Sequence, residues 1–206
     1  MSFSLADKDI QLRPWAGVDE AGRGCLAGPV VAAAVVLPED FCLPCLTDSK
    51  KLTPAQRLEL EQEIKAGSLD WCLGLSWPRQ IERINILQAT LVAMRKALNG
   101  LCYAPGLVLV DGRQAPQAGI KTRCVVGGDA LHPCISAASI LAKTFRDRLM
   151  QSLDKRYPGY GFARHKGYCT RLHLESLQRL GPCTLHRMTF KPLSQNREKW
   201  LCLPST

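Results

Sequence analysis

Gly17-Val18-Asp19-Glu20-Ala21-Gly22-Arg23-Gly24 places two adjacent carboxylates at the end of an apolar segment, with an arginine between glycines directly after them. Side chains alternate faces along a strand, so Asp19 and Glu20 serve one site only where regular pairing stops. Ala21-Gly22-Arg23-Gly24 supplies such an interruption, since glycine accepts backbone angles closed to other residues and lets a ligand come close. An isolated Asp-Glu pair is ordinarily a solvated turn. Two further aspartates in similar settings weigh against that here, and a carboxylate pair beside a cation suits divalent metal held against a phosphodiester.

Working outward, residues 15–19 read as a first strand and 30–37, rich in valine, as a second one buried on both faces. Thr53-Pro54-Ala55-Gln56 carries the N-cap, first-position proline and third-position glutamine of a capping box, and that helix is expected to end near Gly67. Residues 69–77 alternate, with Trp71, Leu73, Leu75 and Trp77 on one face, as a third strand does. Pro78 opens a long helix with a stripe of Ile81, Ile84, Leu87 or Gln88, Leu91, Met94 and Leu98, stopped at Asn99-Gly100.

Leu107-Val108-Leu109-Val110-Asp111 predicts a central strand ending on a carboxylate, and residues 121–126 a shorter fifth one. Residues 136–150 predict a helix with Ile140, Phe145 and Leu149 inward and Lys143, Arg146, Asp147 and Arg148 mostly outward. A last helix is expected over 170–180, stopped by Gly181-Pro182. Alternating strands and helices without repeats or a low-complexity linker give one α/β domain over 1–206, with a core of about 14–192 and a tail from 193.

The chemistry gathers at strand ends, where open α/β sheets bring distant residues together. Asp111 closes one strand, Asp19-Glu20 another, and Asp129 follows Gly127-Gly128 just past the fifth. Taken singly, Asp111 reads as a turn residue before glycine and Asp129 as a helix cap. Four carboxylates in one cleft repel unless cations neutralise them, and oxygen ligands without paired histidines favour Mg²⁺ or Mn²⁺ over zinc.

The chain has 27 Lys and Arg against 18 Asp and Glu, a net charge of +9. Eight of the basic residues lie between Gly159 and Lys199, against Glu175 and Glu198 alone. Such a surface attracts polyanions in a salt-dependent manner. Met1 to Ile10 is too polar for a secretory leader and the longest apolar run, Val30 to Leu37, has eight residues and is too short to span a bilayer, so a cytoplasmic protein outside the membrane is expected. Ten cysteines are then expected as reduced thiols; Cys42-Leu43-Pro44-Cys45 has no second pair at zinc spacing, and Cys25, Cys72, Cys124 and Cys134 sit in apolar segments as packing residues.

These residues together resemble the bacterial ribonuclease HII family. The resemblance is carried by Gly17 through Gly24 with Ala27-Gly28-Pro29-Val30, then Thr47-Asp48-Ser49-Lys50-Lys51-Leu52, Asn85-Ile86-Leu87-Gln88-Ala89-Thr90 and Val110-Asp111-Gly112. It continues through Gly128-Asp129-Ala130, the segment from Ile135 to Lys143, Tyr160-Gly161-Phe162-Ala163-Arg164-His165-Lys166-Gly167-Tyr168, and His186-Arg187. It implies a ribonuclease H-like fold, a five-stranded mixed sheet flanked by helices with a C-terminal helical segment.

The resemblance further implies hydrolysis of RNA in RNA/DNA hybrids and incision 5′ of single ribonucleotides in duplex DNA, by two divalent ions (Mn²⁺ or Mg²⁺). Asp19, Glu20, Asp111 and Asp129 are then the catalytic metal ligands. Gly22, Arg23 and Gly24 meet the 2′-hydroxyl at the junction, and Tyr168 packs on the sugar there. Lys50 and Lys143 are expected at phosphates, Ser136 and Ser139 at backbone or substrate, and a monomer is expected. Cys169 stands where relatives usually have proline, which is expected to loosen the loop carrying Tyr168. His165 is assigned no part in proton transfer.

Overall fold

The computed structural model describes residues 12–41 and 52–196. Lys50, Lys51, Cys42, Cys45 and Trp200 lie outside the described residues. Five strands form one mixed sheet: β1 (Trp15–Ala21), β2 (Val30–Val36), β3 (Asp70–Ser76), β4 (Leu107–Asp111) and β5 (Thr122–Val125), in the order β3-β2-β1-β4-β5. β1 runs antiparallel to β2, and β2 to β3; β1 and β4 are parallel, as are β4 and β5.

The two sheet faces are covered differently. Odd-numbered positions of β1 and β4 meet α1 (Pro54–Gly67) and α3 (Pro133–Arg156), with Leu60, Ile64, Ile135 and Leu141 in the shared core. Even-numbered positions, among them Ala16, Val18, Val108 and Val110, meet α2 (Pro78–Asn99) through Ile81, Ala89, Ala93 and Ala97. Gly17 allows α3 to come this near: a Cβ there would stand 2.0 Å from the carbonyl carbon of Cys134.

α1 carries both reciprocal bonds of its capping box, from Gln56 N–H to Thr53 Oγ1 (3.3 Å) and from Thr53 N–H to Gln56 Oε1 (2.8 Å). Three expectations need correction. β1 continues two residues past Asp19, because β2 goes on pairing as far as Ala21↔Val31. α2 is broken at Asn85 (φ 66°, ψ 166°), which resets the helical phase, so Ala89, Ala93 and Ala97 take the buried stripe while Leu87 and Leu91 border solvent. α3 begins at Pro133 and runs to Arg156, and Arg146 on it is fully buried.

A short helix α4 (Phe162–His165) and α5 (Arg171–Leu180), capped by Thr170, form a further layer over the segment joining β1 to β2. Leu26 packs there with Leu177 and Leu193, and Ala27 with Met150, Tyr160 and Phe162. No described helix is long and apolar enough to cross a membrane.

Candidate active site

Asp19 and Glu20 lie within β1, so they point to opposite faces rather than side by side. On the β4 side pairing ends at Val18↔Val110, one residue before Asp19, which leaves a notch at the sheet's end. Asp19 shares a face with Ala21 and meets α3, where the Ser139 hydroxyl hydrogen-bonds it. Glu20 lines a cleft of about 400 Å³ on the α2 side, with Arg23, Leu87, Thr90, Asp111 and Arg113. The pair thus straddles the sheet edge, and Asp111, at the end of the neighbouring strand, acts electrostatically on both.

The site is negatively charged and poorly hydrated. Asp19 is 6% exposed; burial, then the charge of Glu20, and to a smaller degree that of Asp111, push its carboxyl well above the usual range, against the hydrogen bond from Ser139. Burial also raises Glu20, opposed by Arg23, whose Nη1 donates to Glu20 Oε1 at 3.0 Å. Asp111 Oδ1 accepts from Gly128 N–H at 2.8 Å. That bond ties β4 to the 3₁₀ turn Gly128–Ala130, which carries Asp129, buried directly ahead of α3.

Among the described residues no three His, Cys, Asp or Glu side chains are spaced to enclose an ion. The donor chemistry nevertheless fits a hard divalent cation: all four groups are carboxylates, and the ionised, buried Asp19 has two acidic neighbours whose repulsion a cation would relieve. Arg23 supplies part of that charge to Glu20.

The segment from Gly22 to Gly28 is shaped from beneath by two buried guanidinium groups. Arg187 donates to the carbonyl oxygens of Gly22 and Arg23 (2.8 Å each) and of Gly28. Arg146 donates to those of Pro29 (3.0 Å), Ala27 (3.1 Å) and Lys166 (2.9 Å), so it joins this segment to the one leading to Tyr168. Gly22 has φ +92°, and a Cβ on it would stand 2.0 Å from Arg146 Nε. Gly24 differs: a Cβ there meets nothing within 4 Å, so internal packing gives no reason for a glycine.

Tyr168 is 41% exposed beside this segment and shares a hydrogen bond with Cys25. Lys143 Nζ and the Arg146 guanidinium stand 5.7 and 6.0 Å from its ring centre. Main-chain hydrogen bonds flank Cys169 on its N-terminal and C-terminal sides. Gly167 O accepts from Leu26 N–H (2.8 Å), and Tyr168 O accepts from Thr170 N–H (2.9 Å). Lys143 pairs with Asp147 at 2.7 Å, and Ser136 is buried.

Sequence reasoning assigned no role to Arg146 or Arg187 and put the first outside; a helical stripe carries no signal for a cation satisfied by distant carbonyls. The three histidines near Tyr168 were likewise invisible as a group.

With this geometry in place, the comparisons are specific: the ribonuclease HII family model matches residues 16–193. The chain belongs to the ribonuclease HII family. It is 53% identical to a ribonuclease HII of Nitratidesulfovibrio vulgaris, with 88% of each chain covered. Among solved structures it is similar to the ribonuclease H2 of Pyrococcus horikoshii (28% identity, TM-score 0.76, covering 92% of this chain and 99% of that one). It is also similar to the Archaeoglobus fulgidus ribonuclease HII solved in complex with PCNA (25% identity, TM-score 0.74, covering 87% and 96%). A likeness in fold extends to a ribonuclease HIII solved with Mn²⁺ (16% identity, TM-score 0.67, covering 92% and 71%). The five-stranded mixed sheet is therefore a ribonuclease H-like fold, and the enzyme is a ribonuclease HII, which cleaves RNA in RNA/DNA hybrids.

Proposed function

We propose that this ribonuclease HII also incises duplex DNA on the 5′ side of a single embedded ribonucleotide, leaving 3′-hydroxyl and 5′-phosphate ends, with Asp19, Glu20, Asp111 and Asp129 as its catalytic carboxylates. One observation carries the reading: the buried Asp19 is followed within a few residues by a segment whose Gly24 has open space where a side chain would stand. Acid for the phosphate chemistry and exposed backbone for the sugar thus adjoin.

Mg²⁺ or Mn²⁺, two ions held by the four carboxylates, would supply positive charge against the phosphate and activate water. Asp19, hydrogen-bonded by Ser139 on the α3 face, would be a ligand to them. Glu20 would hold a cation in place of its bond with Arg23, which would leave Arg23 available to a phosphate oxygen. Gly22, Arg23 and Gly24 present main chain to the 2′-hydroxyl, the group that separates ribose from deoxyribose. Tyr168 packs on the sugar, and Lys143 lies close enough to meet a neighbouring phosphate.

A DNA duplex bearing one ribonucleotide, incubated with Mg²⁺ or Mn²⁺ beside an all-DNA control, tests this. Cutting at the ribonucleotide alone is expected. Equal cutting of both duplexes would mean a general DNA nuclease, and binding without cutting a recognition module.

A further inference from the structure

His165, His173 and His186 are 21 residues apart at most in sequence and pack into one cluster, exposed by 8%, 0% and 2%. His165 stacks on His173 with ring centres 4.2 Å apart, and Phe162 meets both rings edge-on. The polar atoms of these rings form a connected path. Cys183 N–H donates to His186 Nδ1 (2.9 Å), the two Nε2 atoms of His186 and His173 stand 3.0 Å apart, and His173 Nδ1 lies 2.9 Å from Tyr168 O.

Hydrogen positions follow from the partners. At His186, Nδ1 meets both Cys183 N–H (2.9 Å) and Cys183 O (3.2 Å), so the direction is set at the other end: the Tyr168 carbonyl can only accept, His173 therefore carries its proton on Nδ1, and His186 donates to it from Nε2. His173 Nε2 is then the acceptor. The opposite direction would set a bare His173 Nδ1 against that oxygen, two acceptors face to face. His165 is fixed in the same way: its Nδ1 accepts from Gly167 N–H (3.1 Å), and its Nε2 donates to Tyr160 O (2.8 Å).

We propose that His173 and His186 are positioning residues for the nuclease reaction: their one-way hydrogen-bond path from Cys183 ends on the Tyr168 carbonyl and fixes where the Tyr168 ring meets the ribonucleotide sugar. The proposal rests on the reading of Tyr168 given above. The path reaches Tyr168 from behind, while Lys143, Arg146 and Cys25 surround its side chain. Purely apolar packing would fill this interior without the cost of burying three imidazoles. Burial holds His173 down to about 4 and His186 to about 3, so both stay neutral in any ordinary assay.

The test uses two substitutions of His173. Asn places an amide N–H near the position of Nδ1 and keeps the donor to Tyr168; Gln keeps the acceptor for His186 and loses that donor. The readout is kcat/KM on a single-ribonucleotide duplex divided by kcat/KM on an RNA/DNA hybrid. H173Q is expected to lower this ratio about tenfold, the worth of one buried hydrogen bond, and H173N to restore most of it. On a Tyr168→Ala background, H173Q is expected to add nothing. A full additional loss on that background, or equal ratios for H173N and H173Q, would overturn the histidine path alone. An unchanged ratio in Tyr168→Ala itself would remove the reading of Tyr168 and the path's purpose with it. Should the variants not fold, ¹⁵N ring shifts of the unmodified enzyme decide: protons on His173 Nδ1 and His186 Nε2 support the path, and the opposite tautomers overturn it.

Discussion

Asp19 combines burial with two acidic neighbours, and that has separable consequences for activity and stability. Its folded-state pKa is raised, so the ionised form is destabilising above that pKa, and the penalty fades as pH falls through it. Asp19→Asn removes the charge and keeps the shape. At neutral pH in EDTA the variant should melt higher than the unmodified chain, by about 2–4 °C for each kcal/mol relieved. It should bind hybrid but lose cleavage by several orders of magnitude. Near-normal turnover would remove Asp19 from the mechanism.

The two glycines flanking Arg23 make an opposed pair. Gly22→Ala places a Cβ against Arg146 at a φ of +92°, so a loss of stability of about 1–3 kcal/mol is expected in urea unfolding. Gly24→Ala meets nothing within 4 Å, so stability should hold within about 0.5 kcal/mol while cleavage at single ribonucleotides falls. A Gly24→Ala enzyme with unchanged cleavage would show that nothing approaches that Cα. At this scale the sequence marked Asp19 and Glu20 at the end of an apolar strand, but not that pairing with β2 runs on through both and turns them to opposite faces. It was uninformative for Arg146, whose acceptors lie up to 119 residues away.

Among the elements, α2 departs most from its pattern. Pro78 and Asn99-Gly100 marked its ends correctly, but the apolar period ran straight through the break. Asn85 sits in a backbone region used almost solely by glycine, while its Oδ1 caps the following turn by accepting from Gln88 N–H at 3.1 Å. Asn85→Gly relieves the strain and keeps much of the cap's worth; Asn85→Ala keeps the strain and loses the cap. The glycine variant should therefore be the more stable by about 1 kcal/mol or more in chemical denaturation. The reverse order would mean that the side chain of Asn85 holds the break open by other contacts. Strand ends erred for a related reason: β1 outlasts Asp19 because β2, its partner, continues, and a strand's own residues do not reveal that.

For the molecule as a whole, the three-histidine interior makes stability fall with acidity. Burial lowers the pKa of His165, His173 and His186 in the folded state, so below about 6.5 the unfolded chain takes up protons that the folded one refuses. Each ring then costs about 1.36 kcal/mol per pH unit until its own folded pKa is reached, near 4 for His173 and 3 for His186. Groups acting on the cluster include Asp154 and Lys166, which oppose one another at His165. Urea midpoints should drop steeply between pH 6.5 and 5, and a flat profile there would mean that the rings are already charged or exposed. The alternation of strands and helices was readable from punctuation such as Thr53-Pro54 and Gly181-Pro182. The strand order was not, since β1 meets β4 across a separation that local pattern does not encode.

Arg187 grips carbonyls at Gly22, Arg23 and Gly28, between 159 and 165 positions earlier in the chain. A nascent polypeptide still lacking that side chain has its acidic residues but not the clasp that gives their neighbouring segment its form. A chain cut short of Arg187 is therefore expected to keep its carboxylates yet fail at single ribonucleotides, even where its sheet still forms.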